Sequence, residues 1–213
     1  MNTTIKTYNR IAGVTLLAII PLLYFSLGNF PERTALKESI SIITLLAYFM
    51  AIGQFYLSRG NKNILKPHKA SKVVKLHKIL GYVLGGVIIF HPFFVILPRY
   101  FEAGIAPADA FTTMITSWDS TGIILGMIAW VSMLILALTS IFRKKLGMKY
   151  TTWRIFHGIL SIVFIIVATW HAINLGRHTD TPLSIYMIVI AAVGVFMILK
   201  VYFIKNSKPG KND

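Results

Sequence analysis

Four histidines fall into two pairs of equal spacing, His77 with His91 and His157 with His171, each pair 14 residues apart. On an α-helix, 14 steps of 100° return to within about 40° of the starting direction, with a rise of about 21 Å. Both members of a pair therefore face the same way, at two separate heights. If the two host helices run parallel, His77 can face His157 at one depth and His91 can face His171 at another. Two imidazoles opposed across a gap between helices suit a planar iron macrocycle, which takes one axial ligand on each face. The ligating imidazole is neutral, so burying it avoids the cost of a buried charge. The expected cofactors are two haem b groups, an inner one between His77 and His157 and an outer one between His91 and His171, forming a path for electrons.

These histidines need long helices to hold them. Of the 213 residues, 55% are hydrophobic and only 14% charged, below the charge of an ordinary soluble domain. A membrane span needs about 20 mostly apolar residues. Six stretches qualify: Ile11–Leu27, Ser39–Leu57, Val73–Leu97, Thr121–Phe142, Trp153–Leu175 and Pro182–Ile204. The first follows Lys6 and Arg10 as a signal peptide would, but it is long and Phe25 to Phe30 contains no small-x-small cleavage site, so it is kept as a span. The predicted fold is an all-α membrane protein. A single domain over residues 1–213 forms a six-transmembrane-helix bundle, with the two haems between its third and fifth spans.

Lys and Arg counts orient the bundle. One side carries Lys6 and Arg10, then Arg59, Lys62, Lys66, Lys69, Lys72, Lys75 and Lys78. It also carries Arg143, Lys144, Lys145, Lys149 and Arg154, then Lys200, Lys205, Lys208 and Lys211, with only Asp213 opposing. The other side has Arg33, Lys37, Arg99 and Arg177 against Glu32, Glu38, Glu102, Asp109, Asp119 and Asp180. The expectation is a multi-pass protein of the cell membrane, as in a bacterial inner membrane. Both termini are then cytoplasmic, and the third and fifth spans run outward. The formal charge of +15 is then positive-inside bias among lipid headgroups, not a nucleic-acid surface. No cysteine is present, which excludes disulfides, zinc–thiolate sites, iron–sulfur clusters and a cysteine nucleophile. The outer connection Pro98–Ser120 contains Tyr100, Phe101, Phe111, Met114, Ile115 and Trp118, which fits a short amphipathic segment on the membrane surface or an ordinary loop.

Other uses of buried histidine are open at this point. A proton relay normally includes Asp or Glu, and none of the seven acids falls at mid-membrane. A dinuclear metal centre wants its ligands at one level, and here they fall at two. Gly81, Gly85 and Gly86 after His77, and Gly158 after His157, would allow close approach of a macrocycle or of another helix. Pro92 could kink the third span and aim His91. Arg154, three residues before His157, is the preferred partner for a haem propionate, with Lys75, Lys78 and Trp153 flanking the same level. His68 reads as a solvated loop residue, His178 as a surface residue near the outer layer, and the eight Met residues as core filling.

Six spans, paired histidines on the third and fifth, and the run Trp153-Arg154-Ile155-Phe156-His157-Gly158-Ile159-Leu160 resemble the ferric reductase-like transmembrane domain. That family includes ferric reductases, the membrane halves of NADPH oxidases, and the haem-binding subunit of a periplasmic methionine sulfoxide reductase system. The resemblance runs from about Ile40 to Leu175. It implies inner ligation by His77 and His157, outer ligation by His91 and His171, and electrons passing from a cytosolic flavin to the outside. No strand-then-glycine dinucleotide pattern follows the last span, so the expected partner is a separate cytosolic flavin reductase docked on the basic loops, including Lys66, Lys69, Lys144 and Lys145. The expected acceptor is extracytoplasmic: a protein, ferric iron or oxygen. Two other readings compete. One is a quinol-linked cytochrome b subunit, and the other a non-redox transporter or scaffold whose histidines pack or carry protons.

Overall fold

The computed structural model describes residues 2–57 and 68–204. Arg59, Lys62, Lys66, Lys205, Lys208 and Lys211, which enter the charge count, lie outside the described residues. Among the described residues there is no strand. The helices are α1 (Asn2–Val14), α2 (Ile20–Leu27), α3 (Ala35–Tyr56), α4 (Ala70–Ala103), α5 (Pro107–Thr116), α6 (Thr121–Ile141), α7 (Tyr150–Leu175) and α8 (Thr181–Ile204). Six stretches are long and apolar enough to cross a membrane: Thr7–Leu27, Ala35–Tyr56, Ala70–Ala103, Thr121–Ile141, Tyr150–Leu175 and Thr181–Lys200. The chain is an all-helical, multi-pass membrane protein.

The first span is one rod with a π turn, Thr15–Ile19, joining α1 to α2. Pro21 explains the widened turn, since it has no N–H and its ring crowds the preceding turn of a regular helix. The Ile20 N–H bonds back to the Thr15 carbonyl. In the same wide pattern the Leu16 carbonyl would need an N–H from Pro21. It accepts instead from the Tyr186 hydroxyl of α8, at 2.6 Å. A sequence-level breaker thus becomes a point of attachment between the first and last spans.

The third span is longer than its apolar stretch suggests. α4 continues through both Pro92 and Pro98 to Ala103 and stops at Gly104, whose φ of +67° favours glycine. Its C-terminal end is held to α3: Glu102 accepts from the Thr34 hydroxyl and pairs with Lys37. Part of the presumed outer loop is therefore helix, and Pro107–Thr116 of it forms α5, with Phe111 stacked 6.0 Å from Phe93 of α4.

The core gathers around α3, whose Tyr48, Phe49, Ile52 and Phe55 pack with Ala129 and Leu136 of α6, Phe164 and Ile165 of α7, and Leu183, Met187 and Ile190 of α8. The closest backbone packing is α6 on α7 and α3 on α4. The two histidine-bearing helices, α4 and α7, have at most marginal backbone contact with each other. Each leans on a different neighbour, which leaves side chains to meet across the space between them.

Candidate functional site

Side chains do meet there, at two heights. The His77 and His157 ring centres lie 6.4 Å apart, with ring planes 66° apart. The His91 and His171 ring centres lie 6.3 Å apart, with planes at 79°. Near-equal separations at both levels follow from the shared 14-residue spacing on two parallel helices. The midpoint of each spacing falls at Leu84 and Phe164, seven residues from each histidine and so on the same helix face. Both are only 4% exposed, so an apolar layer separates the two pairs.

α6 carries no histidine, yet it fixes both rings of α7. His171 Nδ1 lies 2.8 Å from the Gly122 carbonyl. A carbonyl can only accept, so Nδ1 bears the proton and the lone pair of the neutral ring is on Nε2. One turn further along α6, a Cβ added to Gly126 would sit 2.7 Å from His171 Cε1 and Nδ1, inside van der Waals contact. Glycine there is what lets the ring lie against the helix. At the other end, Ser140 Oγ lies 3.3 Å from His157 Nδ1. The Trp153 ring stacks on His157 at 5.1 Å and donates its indole N–H to the Thr139 carbonyl, at 3.1 Å. The histidines of α4 differ: the Nδ1 atoms of His77 and His91 are buried without a hydrogen-bond partner. The nearest tie from α6 to that helix is the Trp130 N–H, which donates to the Ile89 carbonyl at 2.8 Å.

The other sequence-level candidates fall out as follows. Gly81 is exposed, and a Cβ on it or on Gly86 would meet nothing within 4 Å. Gly85 is buried, with Met133 Sδ at 4.0 Å from such a Cβ, an ordinary contact. None of the three is needed for tight helix packing. Arg154 is half-buried, one turn before His157. His178 is not a free surface residue. Its ring stacks on Phe25 at 3.8 Å, meets Phe30 edge-on at 4.7 Å, and its Nε2 lies 3.1 Å from Glu38. It ties the connection after α7 to α2 and α3. Sequence reasoning missed Gly122, Gly126, Ser140 and Thr139. Their one available signal was small and hydroxylated residues on the span between the two histidine-bearing ones.

Among the described residues no three His, Asp or Glu side chains converge as a metal cage. Among the described residues, two imidazoles face each other at each level.

Comparison with known proteins identifies the family of the chain. Residues 40–168 match the family described as ferric reductase like transmembrane component. The match takes in His77, His91 and His157 and stops three residues before His171, which the fold brings opposite His91. An uncharacterized protein of Archaeoglobus fulgidus is 41% identical over 160 residues, covering 75% of this chain and 87% of its own length. No solved structure matches. With most of its length matched and its spans in place, the chain belongs to the ferric reductase-like transmembrane family, a family of membrane electron-transfer proteins.

Proposed function

We propose that this chain is a di-haem, b-type electron-transfer subunit that carries electrons through the membrane from a cytosolic flavin reductase partner to an extracytoplasmic acceptor. The observation that carries this reading is the pair of ring separations, 6.4 and 6.3 Å, at two depths. A metal held between two imidazole nitrogens, each about 2 Å from it, puts the ring centres roughly 6 Å apart. When bound, a haem supplies a one-electron iron couple at each level.

The protein's own part is to hold and insulate. His77 with His157, and His91 with His171, each offer two neutral imidazoles. The Gly122 carbonyl leaves the lone pair of His171 on Nε2. Leu84 and Phe164 keep water and charge out of the layer between the pairs. Open space beside Gly81 and Gly86 leaves room for a bulky planar group, and Arg154, one turn before His157 on α7, is the residue proposed to meet a propionate. The basic excess on one side supports cytoplasmic termini, with lipid around the spans and the acceptor on the acidic side. That acceptor is an extracytoplasmic protein, ferric iron or oxygen. The described acids lie in connections or at helix ends, and none lies within a span's middle, which disfavours a proton-relay transporter.

The test is a dithionite-reduced minus oxidised spectrum with a pyridine haemochrome count, on the purified parent and on His91→Ala and His157→Ala. Two b haems in the parent and one lost in each variant are expected. A parent purified without haem after expression with ample haem supply would overturn the reading.

A further inference from the structure

α3 carries no histidine, yet it brings a polar side chain into the interior with nothing to bond. Both amide atoms of Gln54, Nε2 and Oε1, are buried without a hydrogen-bond partner. Other polar side chains within the spans avoid this. Thr44, Thr139 and Ser161 each return the hydroxyl to a carbonyl one turn back, at 2.8, 2.6 and 2.6 Å. A bilayer interior offers no water to take over, so an orphan donor and acceptor there are costly and call for a bound partner. Packing alone would be served better by leucine, which has nearly the same bulk and no polar atoms.

Two ties fix the height of Gln54. Counting from the Lys37–Glu102 pair toward the His77 level, 17 residues reach Gln54 on α3 and Gly85 on α4. Tyr48 Oη lies 2.7 Å from Thr169 Oγ1, and six residues counted the same way from that bond reach Gln54 on α3 and Val163 on α7. Gly85 and Val163 adjoin Leu84 and Phe164, so both counts put Gln54 beside the layer between the two histidine pairs. Gln54 also shares a face with Ala47 and Ala51, seven and three residues before it. Both alanines are buried, and their small size suits the close packing of α3 on α4. A long side chain on a helix leans toward the helix N-terminus. For α3 that is the end tied to Glu102, so Gln54 leans from the layer toward the level of His91 and His171.

The amide itself names the chemistry of a suitable partner. Its NH2 group has two donors, which a carboxylate accepts, and it brings no charge of its own into the membrane. The polar groups of a haem b are its two propionates, and the rest of its edge is hydrocarbon. We propose that Gln54 is a binding residue for the outer macrocycle, its NH2 group donating to a propionate carboxylate of the haem held by His91 and His171. This rests on the di-haem reading above and adds a third helix to the site. It also adds a direction: a carboxylate of the outer group lies on the α3 side, beside the apolar layer and not in it, rather than at the acidic surface.

The experiment follows haem loss from the full chain in lipid nanodiscs to an excess of a scavenging globin. A His157→Ala background isolates the outer level, and a His91→Ala background the inner one. Each is loaded with haem b or with its dimethyl ester, which has the same ring and no carboxylate. Gln54→Leu is expected to speed loss of haem b from the outer level at least tenfold and to leave the inner level unchanged. The diester should leave the outer level at one rate with and without Gln54→Leu. Gln54→Glu sets like charge against the carboxylate, so it should also release haem b faster and spare the diester. It decides the matter if Gln54→Leu does not fold. Unchanged outer loss of haem b in both variants overturns the proposal, and is the result expected if the amide holds only a water. Equal acceleration with haem b and diester also overturns it, because packing would then be the cause. The two failures separate: a parent that binds no haem sinks the electron-transfer reading, whereas a parent with two haems and no effect of either variant sinks only this one.

Discussion

The two histidine-bearing helices hold their rings by different means. On α7 both Nδ1 atoms have a polar partner on α6, the Gly122 carbonyl for His171 and Ser140 for His157. On α4 the Nδ1 atoms of His77 and His91 are buried with no such partner. A buried polar nitrogen left unpaired costs about 1–3 kcal/mol. The rings of α7 are therefore aimed by the protein itself, while those of α4 are placed by packing and by the path of a helix with two internal prolines. The lesson is that α6, which brings no candidate ligand, is the template for half of the site. One side of each pair is preorganised by hydrogen bonds, and the other is held by packing alone.

The strongest challenge to that contrast is Gly126→Ala. A single methyl group would sit 2.7 Å from the His171 ring, so the ring has to leave its bond to Gly122. On the proposed di-haem reading, the expected result is loss of the outer haem with the inner one retained, read as a fall from two haems per chain to one by pyridine haemochrome. Two retained haems would mean that the template role of α6 is wrong at the outer level.

A smaller effect is expected from Ser140→Ala. It removes the partner of His157 Nδ1 and leaves the packing nearly unchanged. Loss of such a supporting hydrogen bond weakens metal-group binding by about tenfold or more. Transfer of haem to an excess of a scavenging globin measures it, and the outer haem should transfer at the parent rate. An unchanged inner rate would place His157 with the α4 histidines, as a ring held by packing alone.

Trp130→Phe should do least. It deletes the bond to the Ile89 carbonyl, which joins α6 to α4 just before His91. One neutral hydrogen bond contributes about 1 kcal/mol. A lowering of the thermal midpoint by a few degrees is expected, with both haems kept. If the outer haem were lost as fully as in Gly126→Ala, α4 would depend on α6 as strongly as α7 does, and the contrast would disappear.

Much of this was readable along the chain because it depends on periodicity and composition. Apolar runs of span length and segregated charge mark the six spans. Equal 14-residue spacing puts the four histidines at two levels. The partners of the α7 rings were not readable. His171 finds its acceptor 49 residues away, on a backbone carbonyl that every residue type carries. The length of α4 was misjudged because hydropathy falls at Pro98, although a helix with outside contacts at Glu102 can continue past it. His178 looked solvent-facing because nothing local announces that Phe25, Phe30 and Glu38 converge on it.

The sequence by itself determined that this protein is a set of membrane-spanning helices, two of which carry histidines 14 residues apart on one face, because hydrophobic length and helical pitch act within one segment and need no partner. Only the tertiary structure decided which neighbour aims each ring, that Leu84 and Phe164 fill the layer between the pairs, and that Trp153 stacks on His157. Those outcomes depend on which helix faces lie against each other, and that is a property of the packed bundle as a whole.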